Sequence, residues 1–184
     1  MLYPAMRQVA ASKGLTITEQ ARFHAMTSMT GADSLINCWA EKAHWNFWRP
    51  TTAIQLADTD GNDATDVDAA WTSLLSLPPY PDEPSGANCV YSGVMNSAKA
   101  FFGSDAAEFD ITSPGIGPGT GSTRHYSRFT DVIPDVIEAR ILLGIHFRRP
   151  DVNGAILGQS VADFVDRNFF NCGPPGQCKQ EGRE

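Results

Sequence analysis

Three short stretches carry residue types that hold an anion. In "KAHWNFWRP", Lys42 and Arg49 stand seven residues apart. On a helix of about 3.6 residues per turn this is nearly two turns, so both cations project from one face. Two surface charges on an amphipathic helix give the same pattern. Trp45, Phe47 and Trp48, however, surround the pair and place Arg49 at a partly buried helix end, where a cation needs an anion. In "PYPDEPSGANC", Pro84, Ser85 and Gly86 come directly before a helix that begins near Cys89. A helix N-terminus offers unpaired N–H groups and the positive end of the dipole, Ser adds a hydroxyl, and Gly permits close backbone approach. The same residues also make an ordinary cap. In "ARILLGIHFRRPD", Arg140 and His146 lie on an otherwise apolar helix, with Gly144 opening space between them. Their spacing is not a same-face one, yet a long Arg side chain can reach round to meet the imidazole. A core His satisfied by a backbone carbonyl is the alternative.

The elements that must position these residues are helical. Apolar periodicity runs from Ile17 to Trp48, with Thr16 or Thr18 as N-cap and Pro50 as the stop, and a short helix precedes it. Residues 51–84 lack sustained periodicity and are rich in Asp and Pro, which predicts a long ordered excursion rather than a second domain. Asp58, Asp60, Asp63, Asp66 and Asp68 resemble a calcium loop, but the terminal Glu is missing at the required offset, so a solvated acidic loop is expected. Helices follow over Cys89 to Phe102, Val132 to Phe147 and Val152 to Phe170, with Gly103 closing the first of them and Pro150 separating the last two. The glycine-rich "SPGIGPGTGS" has neither a P-loop nor a dinucleotide-binding context and reads as a loop. Alternating β-branched runs are few, and the expected fold is an all-α helical bundle.

The 184 residues suffice for one domain with its own core, here 1–170, followed by a Cys/Pro/Gly tail at 171–184. A net charge of −7 argues against nucleic acid or an anionic membrane as main partner, so any positive site must be local. No apolar run reaches the roughly 20 residues of a membrane span, and no secretion signal opens the chain. The chain reads as soluble, with an extracellular or periplasmic setting open if a leader is missing. Cys172 and Cys178 would close a short loop over Gly-Pro-Pro-Gly as a disulfide, free thiols being the alternative, and Cys38 and Cys89 are expected to stay free.

Taken together and in this order, Lys42-x6-Arg49-Pro50, Pro84-Ser85-Gly86 and Arg140-x5-His146 resemble the three-part signature of the vanadium-dependent haloperoxidase and type 2 phosphatidic-acid phosphatase superfamily. The flanking "NFWRPTTAI", "PPYPDEPSG" and "ARILLGIHFR" look like its haloperoxidase-related branch of soluble bacterial proteins. The resemblance spans roughly Leu15 to Phe170 and implies an α-helical bundle with a tetrahedral-oxyanion pocket. It assigns Lys42, Arg49, Ser85, Gly86 and Arg140 to the non-covalent oxygens, and His146 to the covalent role as vanadate ligand or phosphoryl acceptor.

The implied activity is that of a haloperoxidase which holds vanadate, or phosphate in the same pocket, and uses hydrogen peroxide to oxidise a halide or an organic substrate. The alternatives are an acid phosphatase acting on a phosphate ester through His146 and a non-catalytic oxyanion-binding homologue. Ala87 supports the last, because it stands where the family has its acid–base His. His44 and His125 are candidate replacements for that group. In the phosphatase pattern an Asp stands four residues after the ligand His; here Pro150 holds that place and Asp151 follows. Relatives carry further helices before the first motif. The chain therefore looks like the site-bearing C-terminal half, with a surface that a homodimer or a partner segment would cover.

Overall fold

A computed structural model of the protein describes residues 1–115 and 120–170. Six helices and one hairpin follow in the order α1 (Leu2–Ser12), α2 (Ile17–Trp45), α3 (Pro50–Gln55), α4 (Gly86–Phe102), β1 (Ala106–Ser113), β2 (Ser122–Arg128), α5 (Val132–Leu142) and α6 (Arg148–Phe169). The helical bundle is the expected one. The tail cysteines Cys172 and Cys178 lie outside the described residues.

Local chemistry explains most boundaries. Thr16 starts α2 through a reciprocal capping box with Glu19, satisfying two orphan donors at once. The helix ends at Trp45, earlier than the periodicity predicts, because Asn46 takes a left-handed conformation (φ 42°). Pro50 is not a stop: it opens α3 with Arg49 as N-cap, where a missing N–H costs nothing. Pro150 likewise falls inside the first turn of α6, which begins at Arg148 and not at Val152.

The hairpin is an addition to the expected bundle. β1 and β2 are antiparallel, pairing Phe109 with Tyr126 and Ile111 with Arg124. Ala107 and Phe109 face inward at a period of two, but β2 buries only Tyr126, so its sequence shows no alternation to read.

Helix α4 is the axis of the fold. Toward α2 it presents Ser97 to Thr30 (3.3 Å between hydroxyls) and Gly93 to Ser34, whose Oγ fills the space a Gly93 Cβ would need. Toward α6 it packs so closely that a Cβ on Gly158 would collide with the Cys89 carbonyl, and Ser92 Oγ donates to Ala155 O at 2.6 Å. Partner numbers fall along α4 as they rise along α2, so these two helices are antiparallel; α4 and α6 run parallel. The hydrophobic core gathers at one end, where Phe23 and Met26 of α2, Met95 and Phe101 of α4, Val9 of α1 and Phe109 of the hairpin are all fully buried. The opposite end of α2 and α4 carries the polar residues.

Candidate oxyanion site

At that polar end the C-terminus of α2 meets the N-terminus of α4, the start of α6 and the connection between α5 and α6. Lys42, in the last turn of α2, is 1% exposed. Its ammonium donates to Pro81 O (2.7 Å) and Asp82 O (3.0 Å), using two of its three donors. Arg49 is 3% exposed. It donates from Nε to Tyr80 O (2.8 Å) and from one terminal nitrogen to Ile145 O (2.6 Å), and it lies 3.8 Å from Asp82 Oδ1. The two cations do not share a helix face: Arg49 belongs to the extended segment after Asn46 and folds back. Nor do the three expected aromatics surround them, since Trp45 and Phe47 are largely exposed. Tyr80 does this instead, its ring centroid 5.2 Å from Lys42 Nζ and 5.1 Å from the Arg49 guanidinium.

Ser85 is the N-cap of α4, which starts at Gly86, three residues earlier than the sequence reading has it. Its side chain makes no cap hydrogen bond, and its hydroxyl accepts from Asn88 Nδ2 (3.2 Å). A Cβ on Gly86 would sit 4.0 Å from Lys42 Cε, so bare backbone faces the lysine. Ala87, half-buried, follows in the first turn.

Arg140 and His146 are not on one helix. Arg140 occupies the last turn of α5; the chain then turns at Gly144 (φ +73°), where any Cβ would stand 2.8 Å from the Trp71 ring. That turn delivers His146 to the site, 3% exposed, with Nδ1 in contact with Asp82 Oδ1. Asp82 is wholly buried and also accepts from Phe147 N (3.2 Å). Buried Arg140 Nε has no hydrogen-bond partner among the described residues, and the Arg140 charge is felt at Arg49, His146 and Asp151.

Burial sets the electrostatics. It lowers the pKa of Lys42, with Arg49 adding repulsion, and lowers that of Arg49 itself, which Asp82 opposes. It lowers His146 below 6.5 against the pull of Asp82, so the imidazole is neutral at pH 7. Asp151 stands one residue beyond the expected acid position and does not orient His146. It is wholly buried against Ser85 and Asn88 (Asn88 Nδ2 to Oδ1, 2.7 Å), and burial pushes its pKa up to about 7. The orienting acid is Asp82, which sequence reasoning passed over in the proline-rich approach to Ser85, together with Tyr80 and Asn88. Their one signal is their position beside the Pro84-Ser85-Gly86 motif.

The remaining histidines lie elsewhere. Exposed His44 rests edge-on against Trp45. His125 is on β2, bridging Glu108 (2.7 Å) and Asp110 (2.8 Å).

The donor set suits a tetrahedral oxyanion: a guanidinium Nε without a partner among the described residues, a spare ammonium donor, a helix N-terminus without a side-chain cap hydrogen bond and a neutral imidazole beside a carboxylate. Alongside it, a cavity of about 440 Å³ is lined by Trp45, Phe47, Phe147 and Pro150, with Glu83 and Asn153 at its polar side.

The family model of the VCPO second helical-bundle domain matches residues 22–171. Among solved structures, an apo-type bacterial vanadium-dependent chloroperoxidase superposes with a TM-score of 0.72 at 22% identity, covering 88% of this chain and 40% of that one. A holo-type bacterial vanadium-dependent chloroperoxidase gives 0.63 at 24%, covering 77% and 34%. A bacterial vanadium-dependent iodoperoxidase gives 0.71 at 22%, covering 88% and 37%. At such identities the likeness is one of fold, and the chain spans well under half of each of these proteins. No curated protein sequence matches it.

Proposed function

The chain belongs to the VCPO second-helical-bundle family, and from that premise we propose that its polar end is a vanadate or phosphate pocket serving peroxide-dependent oxidation of a halide or an organic substrate. One observation carries the reading. Lys42, Arg49, the start of α4, Arg140 and His146 come from five separate stretches of the chain, yet they gather at one polar end of the fold, where Asp82 contacts both Arg49 and His146.

Vanadate, when bound, supplies the electrophilic centre that activates hydrogen peroxide. The chain's own work is electrostatic. Lys42, Arg49 and Arg140 would hold the negative oxygens, the Ser85–Gly86 amides at the helix start would add fixed dipoles, and Asp82, against Nδ1 of His146, would leave the other ring nitrogen to act as ligand. Low exposure keeps water from screening these charges. The apolar cavity beside the site would receive an organic acceptor.

Ala87 favours a second reading, oxyanion binding without turnover, because a methyl group cannot move a proton. Isothermal titration with vanadate and phosphate, paired with a peroxide- and halide-dependent halogenation assay, separates the two. Binding with halogenation supports the enzyme, binding alone selects the second reading, and no binding removes both. Hydrolysis of an aryl phosphate without vanadate would instead assign the pocket to phosphoryl transfer with His146 as acceptor.

A further inference from the structure

The seam between α2 and α4 pairs residues in a fixed register: Thr30 with Ser97, Ser34 with Gly93, Lys42 with Gly86, and between the last two pairs Cys38 with Cys89. Each step is one turn up α2 and one turn down α4, so the two cysteines face each other across the α2–α4 seam. Both are wholly buried free thiols, close enough that each shifts the pKa of the other. Cys38 Sγ donates to Pro84 O, at 3.5 Å. It also lies against the backbone of Gly86, where an added Cβ would be 3.8 Å away, in ordinary contact.

We infer that Cys38 and Cys89 are a redox site, a dithiol that hydrogen peroxide converts to a disulfide directly beneath the oxyanion pocket. Three features support it beyond proximity. The seam is tight one turn earlier, where a Cβ on Gly93 would collide with Ser34 Oγ, and a disulfide needs this kind of approach, with Cα atoms within about 7 Å. The neighbouring Cys89 thiol and Lys42 one turn away lower the Cys38 pKa, so Cys38 is the sulfur that ionises first. Only the bare backbone of half-buried Gly86, with no side chain, stands on the pocket side of that sulfur.

The step balances. The Cys38 thiolate attacks one peroxide oxygen, the O–O bond breaks, and the departing hydroxide takes a proton to become water. Cys89 then attacks the Cys38 sulfenic acid, forming the S–S bond, while its own proton leaves with the expelled hydroxyl as a second water. Two thiols and one peroxide give one disulfide and two waters. Because Lys42 and Gly86 follow one turn beyond the cross-link, drawing the sulfurs together to about 2.0 Å, the length of a disulfide, shifts both relative to the bound oxyanion.

The test uses the full chain with Cys172→Ser and Cys178→Ser, so that only the seam thiols remain. Folded protein is treated with hydrogen peroxide, then alkylated, and read by intact mass, by non-reducing peptide mapping and by titration with inorganic phosphate. The expected result is a loss of two hydrogens, a peptide linking Cys38 to Cys89, reversal by dithiothreitol, and phosphate affinity weaker by about tenfold in the oxidised form, the size of one lost charge-assisted contact. Cys38→Ser should abolish the mass change, with Cys89→Ala serving the same purpose if that variant does not fold. Two thiols still alkylatable after peroxide, or independent oxidation of each, overturns the site. A disulfide that leaves phosphate affinity unchanged overturns the switching role. The disulfide stands apart from the oxyanion reading and only its effect on affinity rests on it: phosphate binding without a cross-link defeats this inference alone, whereas a cross-link without phosphate binding in either form defeats the pocket and the switching role with it.

Discussion

Asp82 Oδ1 lies between His146 Nδ1 and the Arg49 guanidinium, with none of the three side chains more than 3% exposed. One carboxylate therefore fixes the ring and balances the nearest cation. Breaking a buried pair by neutralising one partner costs about 3 to 5 kcal/mol, because the other charge stays buried and uncompensated. Asp82→Asn keeps the shape and should lower unfolding stability by about 3 kcal/mol in a urea titration, while a further fall in the His146 pKa would be seen by NMR. An unchanged urea midpoint would mean that the Asp82 contacts to Arg49 and His146 do not stabilise the fold.

Oxyanion affinity should depend on the cations individually. Arg49→Ala and Arg140→Ala should each weaken vanadate or phosphate binding by about 2 to 3 kcal/mol, since hydrogen bonds to charged groups exceed neutral ones. Arg140→Ala should do so with little loss of stability, because its Nε has no protein partner to leave behind among the described residues. Arg49→Ala also frees the Tyr80 and Ile145 carbonyls and should destabilise the fold as well. Calorimetry and melting curves on both variants check the contrast.

Ala87→His should raise peroxidase turnover toward the roughly 10²- to 10⁴-fold that general acid–base catalysis contributes, leaving oxyanion affinity nearly unchanged. Ala87 is half-buried in the first turn of α4, directly after Gly86. If the ring is overpacked there, stability should fall by about 1 to 3 kcal/mol instead. Steady-state kinetics and a melt on this variant decide the matter: folded, vanadate-binding protein without a gain in rate would show that the missing imidazole is not limiting.

Asp151 and His146 should pull the pH dependence of stability in opposite directions. Asp151 moves from an ordinary 3.8 to about 7 on folding, so the folded state binds the extra proton. Its contribution is full below 3.8 and is lost as pH rises through about 7, with a slope on the order of 1 kcal/mol per pH unit. His146 falls below 6.5 on folding, so its contribution is full above 6.5 and is lost as pH falls through its lowered folded value. Asp151→Asn removes the first effect and leaves the second. Relative to the parent protein, the variant should gain stability steadily from pH 5 to pH 7 in urea titrations, and parallel curves would refute the proton at Asp151.

The helices were legible because their signals are local: the Thr16 capping box, the stop at Gly103 and the apolar period of α4 need no partner to be read. The three motifs were legible as chemistry, but not as geometry. Lys42 and Arg49 meet only because Asn46 breaks the helix between them, and His146 arrives only because Gly144 turns the chain against Trp71. Those are tertiary consequences of single backbone angles, which periodicity does not register. Asp82 was missed for a related reason: its role is fixed by residues tens of positions away, and nothing in "PYPDEP" marks one acid over the next. β2 escaped because its outward face is all the sequence displays.

The placement of the apolar core and the charged pocket at opposite ends of α4 divides the molecule by how its amides exchange with solvent. Around Phe101 and Met95, exchange requires the whole chain to open, because the residues that bury them come from α1, α2 and the hairpin together. Around Ser85 and Phe147, protection rests on single tethers, Ser85 N to Pro150 O at 2.9 Å and Phe147 N to Asp82 Oδ2, plus cations gripping the carbonyls of residues 80–82. That end can breathe while the other stays shut, so an oxyanion that recruits the same cations would act as a clamp on local opening and slow deuterium uptake there without altering it at the core.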